Sequence, residues 1–309
     1  MHVWPDERPR TMRIFSPAGV VRSAEQLRRA ARRLGQLGFA VELDEAAAAR
    51  HQRFAGDDDV RLAAIARVAA ARPDVALLTR GGYGLTRLLD GIDWKAVEKS
   101  IAAGTRWVGH SDFTALQLGL LARAGRAVTW AGPLACDDFG RRNDEGGVDE
   151  VTASCFVEAM SGALEAVGFR TEAGFDGLAV RGTLWGGNLC VFNALLATKH
   201  MPRLHGGILF FEDVNEHPYR VERNLIQLHQ AGVLDRQKAI VLGQFSAWRK
   251  APHDRGFSLK TVVAHLRSLT RTPILPGLPF GHVQPKVTMP VGARVQLLVE
   301  GRDALIGWA

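Results

Sequence analysis

Apolar positions along the first 130 residues alternate between two periods. Met12 to Pro17 reads as a strand that ends at the Pro17-Ala18-Gly19 turn. Ser23 to Leu37 has helical spacing, opened by a serine cap with Glu25 close behind. The pattern then gives a strand over Phe39–Leu43, a helix from Asp58 to Ala71 and a strand over Val75–Thr79. A glycine turn and another helix lead to the strand Trp107–His110, a helix from Asp112 to Ala124, and a strand over Ala127–Trp130. Strands and helices alternating at this spacing predict an α/β fold with a mainly parallel sheet flanked by helices.

A polar, glycine-containing stretch from Asp137 to Asp149 interrupts that rhythm and reads as a loop or linker, with a helix from Val151 to Ser161 after it. The second half is richer in β signal. Leu178–Arg181 is a short strand-like run between glycines, Gly207–Phe211 and Ala239–Gly243 are apolar strands, and Ala293–Val299 with Ala304–Gly307 predicts a terminal hairpin. The expected organisation is an N-terminal α/β domain over residues 1–150 and a mixed, β-rich C-terminal domain over 151–309.

Composition narrows the function classes. An apolar share of 47% against 23% charged residues argues against disorder as the main state. The net charge of +7 raises the question of nucleic acid. Yet the arginines sit at helical spacing among alanines and leucines, as in Arg28, Arg29, Arg32 and Arg33, the pattern of a solvated helix face. No nucleic-acid partner is therefore expected, although a diffuse positive field would draw in an anionic substrate. Three cysteines without a CxxC pair fit neither a disulfide framework nor a zinc knuckle. The polar stretch Met1 to Arg10 has no signal-peptide core, and no run approaches the ~18 apolar residues of a membrane span. Cytoplasm is the expected location.

Four segments can carry chemistry. In Gly109-His110-Ser111-Asp112-Phe113-Thr114 a strand runs into a serine and a helix runs away from it, which exposes the side chain at a helix N-terminus. The same residues also suit a plain helix cap. Thr79-Arg80-Gly81-Gly82-Tyr83-Gly84 follows a strand, and its glycines can turn N–H groups toward an anion or simply make a tight turn. Its spacing does not fit a dinucleotide fingerprint. Phe211-Glu212-Asp213-Val214-Asn215-Glu216 places carboxylates directly after an apolar strand, without a metal-ligand partner motif. Leu278-Pro279-Phe280-Gly281-His282 holds a histidine in a constrained loop, and periodicity alone does not separate it from His110, His200 or His205.

Taken in order, these segments resemble the LD-carboxypeptidase, or muramoyltetrapeptide carboxypeptidase, family of serine peptidases. The similarity also takes in Phe15–Gly19, Trp185-Gly186-Gly187-Asn188-Leu189, Tyr219-Arg220 and Gly277-Leu278-Pro279, and so spans nearly the whole chain. It implies an active site between the two domains, with Ser111 as nucleophile, His282 as base and Glu212 as the acid that orients the base. Glu216 is the competing acid, and His110 stands where many relatives carry tyrosine or phenylalanine. Backbone N–H groups of Asp112 and Gly82 are the expected oxyanion donors. Arg80 and Arg220 are candidates for the substrate carboxylate, and Asn188 and Trp185 for the wall of the cleft. The resemblance implies hydrolysis of the L,D bond that releases terminal D-alanine from murein tetrapeptide in peptidoglycan recycling, no cofactor or metal, and a homodimer. Two alternatives remain: an immunity-type peptidase of the same family that cleaves peptide-nucleotide antibiotics, and a non-catalytic ligand-binding protein.

Overall fold

A computed structural model describes residues 8–125 and 127–308. The stretch up to Glu7, part of the segment read as lacking a signal peptide, lies outside the described residues. The chain forms two sheets. The first carries β1 (Arg10–Phe15), β2 (Phe39–Leu43), β3 (Val75–Leu78), β4 (Arg106–Gly109) and β5 (Thr129–Ala131). Spatially they run β5-β4-β3-β1-β2, all in parallel. Between them come α1 (Ala24–Gln36), α2 (Asp58–Ala71), α3 (Trp94–Ala102) and α4 (Thr114–Ala124), and α5 (Glu150–Ser161) follows. Every residue of β3 is buried, as expected of a central parallel strand covered on both faces.

The second sheet holds β6 (Ala166–Arg170), β7 (Ala179–Asn188), β8 (Ile208–Val214), β9 (Ala239–Ser246) and β10 (Ile274–Pro276), with α6 (Leu189–Ala194), α7 (Pro218–Gln230) and α8 (Leu259–Leu269) between its strands. β11 (Met289–Val291) leaves this sheet and pairs antiparallel with β5 of the first. β12 (Arg294–Glu300) and β13 (Asp303–Gly307) return to the second and form the expected hairpin. Its order is β10-β9-β8-β7-β12-β13-β6, parallel from β10 to β7 and antiparallel beyond. Burial alternates along β12, as it should for a strand with one face toward the core. One apolar cluster takes Phe113 and Leu116 from the first half and Trp185, Phe211 and Leu225 from the second, so the two halves share a core. Val157 and Phe156 of α5 pack in the cluster under the first sheet.

Three expectations are corrected. The stretch after Asp137 is not featureless, because a π-helical turn spans Ala135–Phe139. Its carbonyls are held by α1: Gln26 Nε2 donates to Cys136 O at 3.0 Å, Arg29 Nη1 to Gly140 O at 2.9 Å, and Arg33 Nη1 to Phe139 O at 3.0 Å. Arg29 and Arg33 thus clamp a neighbouring segment rather than forming part of a solvated face, which Arg28 and Arg32 do. Finally, the strand expected at Leu178–Arg181 continues through Trp185-Gly186-Gly187-Asn188, because β8 pairs with it residue by residue as far as Asn188 opposite Glu212.

Candidate active site

Ser111 occupies a sharp elbow. β4 ends at Gly109, His110 is extended, and Ser111 has φ of +64°, in the left-handed region that side chains with a Cβ avoid. A tight 3-10 turn over Ser111–Phe113 then leads into α4, closed by Phe113 N donating to His110 O at 3.3 Å. Such a residue costs on the order of 1 kcal/mol and persists only where its surroundings dictate it. Asp112 helps to dictate it: its buried Oδ2 accepts from Leu85 N at 2.7 Å and ties the elbow to the loop after β3. Burial, only partly offset by that bond, pushes the Asp112 carboxyl up to about 7. The same loop runs alongside Ser111. A Cβ placed on Gly81 would lie 2.7 Å from Ser111 Oγ, so only glycine fits there.

Glu212 lies in β8 and is completely buried. Its Oε2 sits 2.7 Å from Nδ1 of His282, and its Oε1 accepts from Asn188 Nδ2 at 3.1 Å. Asn188 also donates to Asp213 Oδ1 at 2.9 Å, and its own Oδ1 accepts from Val191 N. Its amide orientation is therefore set, with the NH2 toward the two acids. His282 belongs to the loop between β10 and β11. Gly281, at φ of +137°, lets that loop descend onto the acid, since a Cβ there would meet Glu212 Cβ at 3.2 Å and Gln244 O at 3.0 Å. Burial draws the imidazole pKa down, but the charge and hydrogen bond of Glu212 outweigh it, and the net shift is upward.

The ring of His110 packs edge-on against His282, with centroids 4.9 Å apart, so the imidazole stands beside the turn that carries Ser111. His110 Nδ1 lies 2.9 Å from Gly132 O and must carry the proton, which leaves Nε2 as an acceptor facing Lys286 Nζ at 3.4 Å. Burial, then Lys286 and His282, hold His110 well below the ordinary histidine value, and it stays neutral. Lys286 is itself buried and pairs with buried Asp138 at 3.0 Å. A cavity of about 330 Å³ opens beside His282, with Lys286 and Asp138 in its lining. Among the described residues, no group of three or more His, Cys, Asp or Glu side chains is placed to hold a metal ion.

Glu212 and His282 are thus bonded, whereas no hydrogen bond joins Ser111 to His282 among the described residues; a serine in a strained elbow with such a pair nearby is an arrangement that suits a serine hydrolase. Comparison with known proteins agrees. Residues 12–132 match the LD-carboxypeptidase N-terminal domain and residues 181–297 the LD-carboxypeptidase C-terminal domain, together well over half of the chain. The chain belongs to the LD-carboxypeptidase family. It is a serine-type carboxypeptidase, a hydrolase. The crystal structure of muramoyltetrapeptide carboxypeptidase from Oxalobacter formigenes is similar at 38% identity and a TM-score of 0.86, covering 96% of this chain and 98% of that one. The murein tetrapeptide carboxypeptidase of Pseudomonas aeruginosa is 29% identical over 90% of each chain. The microcin C7 self-immunity protein of Escherichia coli is 25% identical over 76% of this chain and 74% of its own.

The remaining expected residues of this LD-carboxypeptidase fare differently. Gly82 follows Gly81 in the loop beside Ser111, with φ of +88°. Arg80 is half-buried and holds the loop itself, donating to Val20 O at 3.1 Å while Nε lies 3.8 Å from Asp137. Arg220 is exposed on α7, over the Tyr219 ring and 3.9 Å from Glu216. Glu216 makes that contact rather than one to His282, and burial raises its carboxyl pKa. Asn188 serves the acid. The cleft-lining expectation for Trp185 is corrected: the side chain is 1% exposed, stacks near Phe192 and gives its indole N–H to Gln237, so it has no surface to offer a substrate. Sequence reasoning missed Lys286 and Asp138. The only signal was a lysine four residues after His282, at the entrance to an apolar strand.

Proposed function

We propose that this LD-carboxypeptidase hydrolyses the L,D bond that releases terminal D-alanine from murein tetrapeptide, as a cytoplasmic step of peptidoglycan recycling. The observation that carries the reading is the 2.7 Å hydrogen bond from His282 Nδ1 to fully buried Glu212, in a chain whose only strained serine is Ser111 among the described residues. Serine at its free pKa is a poor nucleophile. With Nδ1–H donated to Glu212, His282 Nε2 is the free base and takes the Ser111 proton as Oγ attacks the carbonyl carbon. The resulting oxyanion is met by backbone N–H groups of Gly82 and Asp112, each such donor typically contributing ~3 kcal/mol. His282 then gives the proton to the amine of D-alanine, which leaves. Water, activated by the same histidine, hydrolyses the acyl-enzyme. No cofactor enters the scheme. Among the described residues no helix is long and apolar enough to cross a membrane.

The test is direct. Purified protein is incubated with L-Ala-D-Glu-meso-diaminopimelate-D-Ala, and free D-alanine is followed by mass spectrometry, with Ser111→Ala and EDTA-treated wild type alongside. Release by wild type with and without EDTA, but not by Ser111→Ala, is expected. Absence of release by wild type overturns the substrate, and full activity of Ser111→Ala overturns the mechanism. The family resemblance further predicts a homodimer, read by sedimentation, and a domain division near residue 150. The immunity-type alternative would need an aromatic side chain to stack on a nucleobase in the stretch ahead of His282. The only Phe, Trp or Tyr between Arg255 and Pro276 is Phe257, and it packs against the core.

A further inference from the structure

We propose that Arg61, a buried arginine on α2 outside the catalytic set, is a positioning residue that fixes the backbone of Gly82 beside the serine elbow. This rests on the reading above of Gly82 as an oxyanion donor in murein tetrapeptide hydrolysis, and adds the group that holds that donor in place. An arginine with no exposed surface is rare, and burying it is costly unless its donors are matched. Here most of them go to backbone carbonyls. Nη1 reaches Gly84 O at 3.0 Å and Pro17 O at 3.3 Å, and Nε lies 3.4 Å from Asp57 O. Nη2 donates to Asp58, one turn earlier on α2. The guanidinium stacks over the Phe54 ring, with Cζ 4.6 Å from its centroid, which sets the plane of the fork. Gly84 admits the contact because it is glycine at φ of +152°: a Cβ there would collide with Arg61 Nη1 and with the Phe54 ring.

The carbonyls of Gly84 and Pro17 bracket the oxyanion loop. Gly84 lies two residues after Gly82, and its carbonyl also accepts from Arg87 N in the turn that follows. Pro17 belongs to the turn after β1, and that turn meets the loop just before Gly82, where Gly19 N donates to Gly81 O at 3.0 Å. One side chain therefore ties the loop directly on the far side of Gly82 and, through the Pro17–Gly19 turn, on the near side. Asp112 ties the same loop to the serine elbow at Leu85 N, 2.7 Å away. Burial raises the Asp112 carboxyl to about 7, while the N–H groups of Leu85 and Gly84, then the charges of Arg61 and Arg53, draw it the other way. Arg61 thus also favours the ionised form of Asp112, which accepts from both N–H groups and donates to neither.

The charge itself is not what the fold requires. Asp58 is half-buried and has a second cation in Arg87, whose Nη2 is 2.9 Å away. Removing Arg61 therefore strands no buried carboxylate, and apolar side chains of similar volume often replace a buried ion pair without loss of stability. What such a side chain cannot supply is the pair of directed donors at Pro17 and Gly84.

The experiment measures kcat and KM separately for D-alanine release from L-Ala-D-Glu-meso-diaminopimelate-D-Ala by wild type, Arg61→Met, Arg61→Lys and Asp58→Asn, with a melting temperature for each. Arg61→Met is expected to lower kcat about ten- to hundredfold and leave KM within about threefold, because a displaced oxyanion donor fails the transition state and not the bound substrate. Arg61→Lys keeps the charge without the fork, and is expected to recover only part of that loss. Asp58→Asn weakens the ion pair and leaves the carbonyl contacts in place, so it should lower the melting temperature while kcat stays within about threefold of wild type. A folded Arg61→Met with the kcat of wild type, a rise in KM in place of the fall in kcat, or an equal fall of kcat in Asp58→Asn overturns the proposal. If Arg61→Met does not fold, Arg61→Lys decides, and a wild-type kcat in that variant overturns it. No release by wild type overturns the murein reading itself, and this inference with it.

Discussion

Glu212→Gln isolates what the buried acid does, because the change keeps the shape and removes the charge. In the native site Asn188 presents its NH2 to Glu212 Oε1, and Glu212 Oε2 faces His282 Nδ1. A glutamine in that place must turn its own oxygen to Asn188, since two NH2 groups repel. Its NH2 then faces His282 Nδ1, which becomes an acceptor, and the proton moves to Nε2, where the base should be empty. The charge is lost as well. An imidazolium and a carboxylate about 4 Å apart, between charge centres, attract by about 4 kcal/mol at an effective dielectric of 20. Each 1.4 kcal/mol is a factor of ten, so the charge alone accounts for roughly 10³ in kcat, and the wrong tautomer extends the loss toward roughly 10⁴. The assay is steady-state D-alanine release, with circular dichroism melts to show that the fold survives. A loss below tenfold in a folded variant, or a larger loss in Glu216→Gln, would refute the assignment of Glu212.

The pH dependence follows from the same pair. His282 must be neutral to act, and its pKa is raised above the ordinary 6.5 by Glu212, so the acid limb of kcat/KM should fall above that value and move down in Glu212→Gln; an acid limb below 6 in wild type contradicts this. Gly81→Ala puts a methyl 2.7 Å from Ser111 Oγ, and an ångström of displacement at the nucleophile should lower kcat by about a hundredfold with binding largely kept, as measured by kcat and KM separately. Asp112 has a folded pKa of about 7 against an ordinary 3.8, so the folded state holds the extra proton between these values. Its contribution to stability is complete below about pH 4 and declines as pH rises through about 7. Urea melts at pH 5 and pH 8 should therefore show a smaller loss in Asp112→Asn than in wild type, and equal losses would count against a buried, protonated Asp112.

The parallel core was legible because its strands are short apolar runs separated by helices of regular period, and the bounds of β2 and α2 agree with the pattern to the residue. The serine elbow was legible for a local reason, since a strand, a serine and a helix are contiguous. Contacts between distant strands were not. Asn188 bonds Glu212 because β7 and β8 pair in one register, and that register is fixed by the packing of both strands rather than by either sequence. Trp185-Gly186-Gly187 looked like a turn because glycine has no pattern of its own, whereas the partner strand makes it β. Lys286 and Asp138 are separated by 148 residues, and the charges of such a pair are indistinguishable from surface charges until the fold buries both. Arg80 was expected to meet the substrate carboxylate because of its neighbourhood, but its Nη1 donates to Val20 O and its Nε lies 3.8 Å from Asp137.

The path of β11 has a consequence for when the protein acquires activity during synthesis. The loop that carries His282 is tethered on one side to β10 in the second sheet and on the other to β11, which is hydrogen-bonded to β5 in the first. The stretch just before β11 is held as well, by Lys286 N donating to Thr152 Oγ1 at 3.0 Å and Thr288 N to Cys155 Sγ at 3.2 Å on α5, so residues 286–291 fix the His282 loop as one segment. On the proposed mechanism, a nascent chain in which this segment has not yet docked lacks a fixed general base. Hydrolysis is then expected only once residues 286–291 have docked, which ties the onset of activity to the last part of the chain to be made.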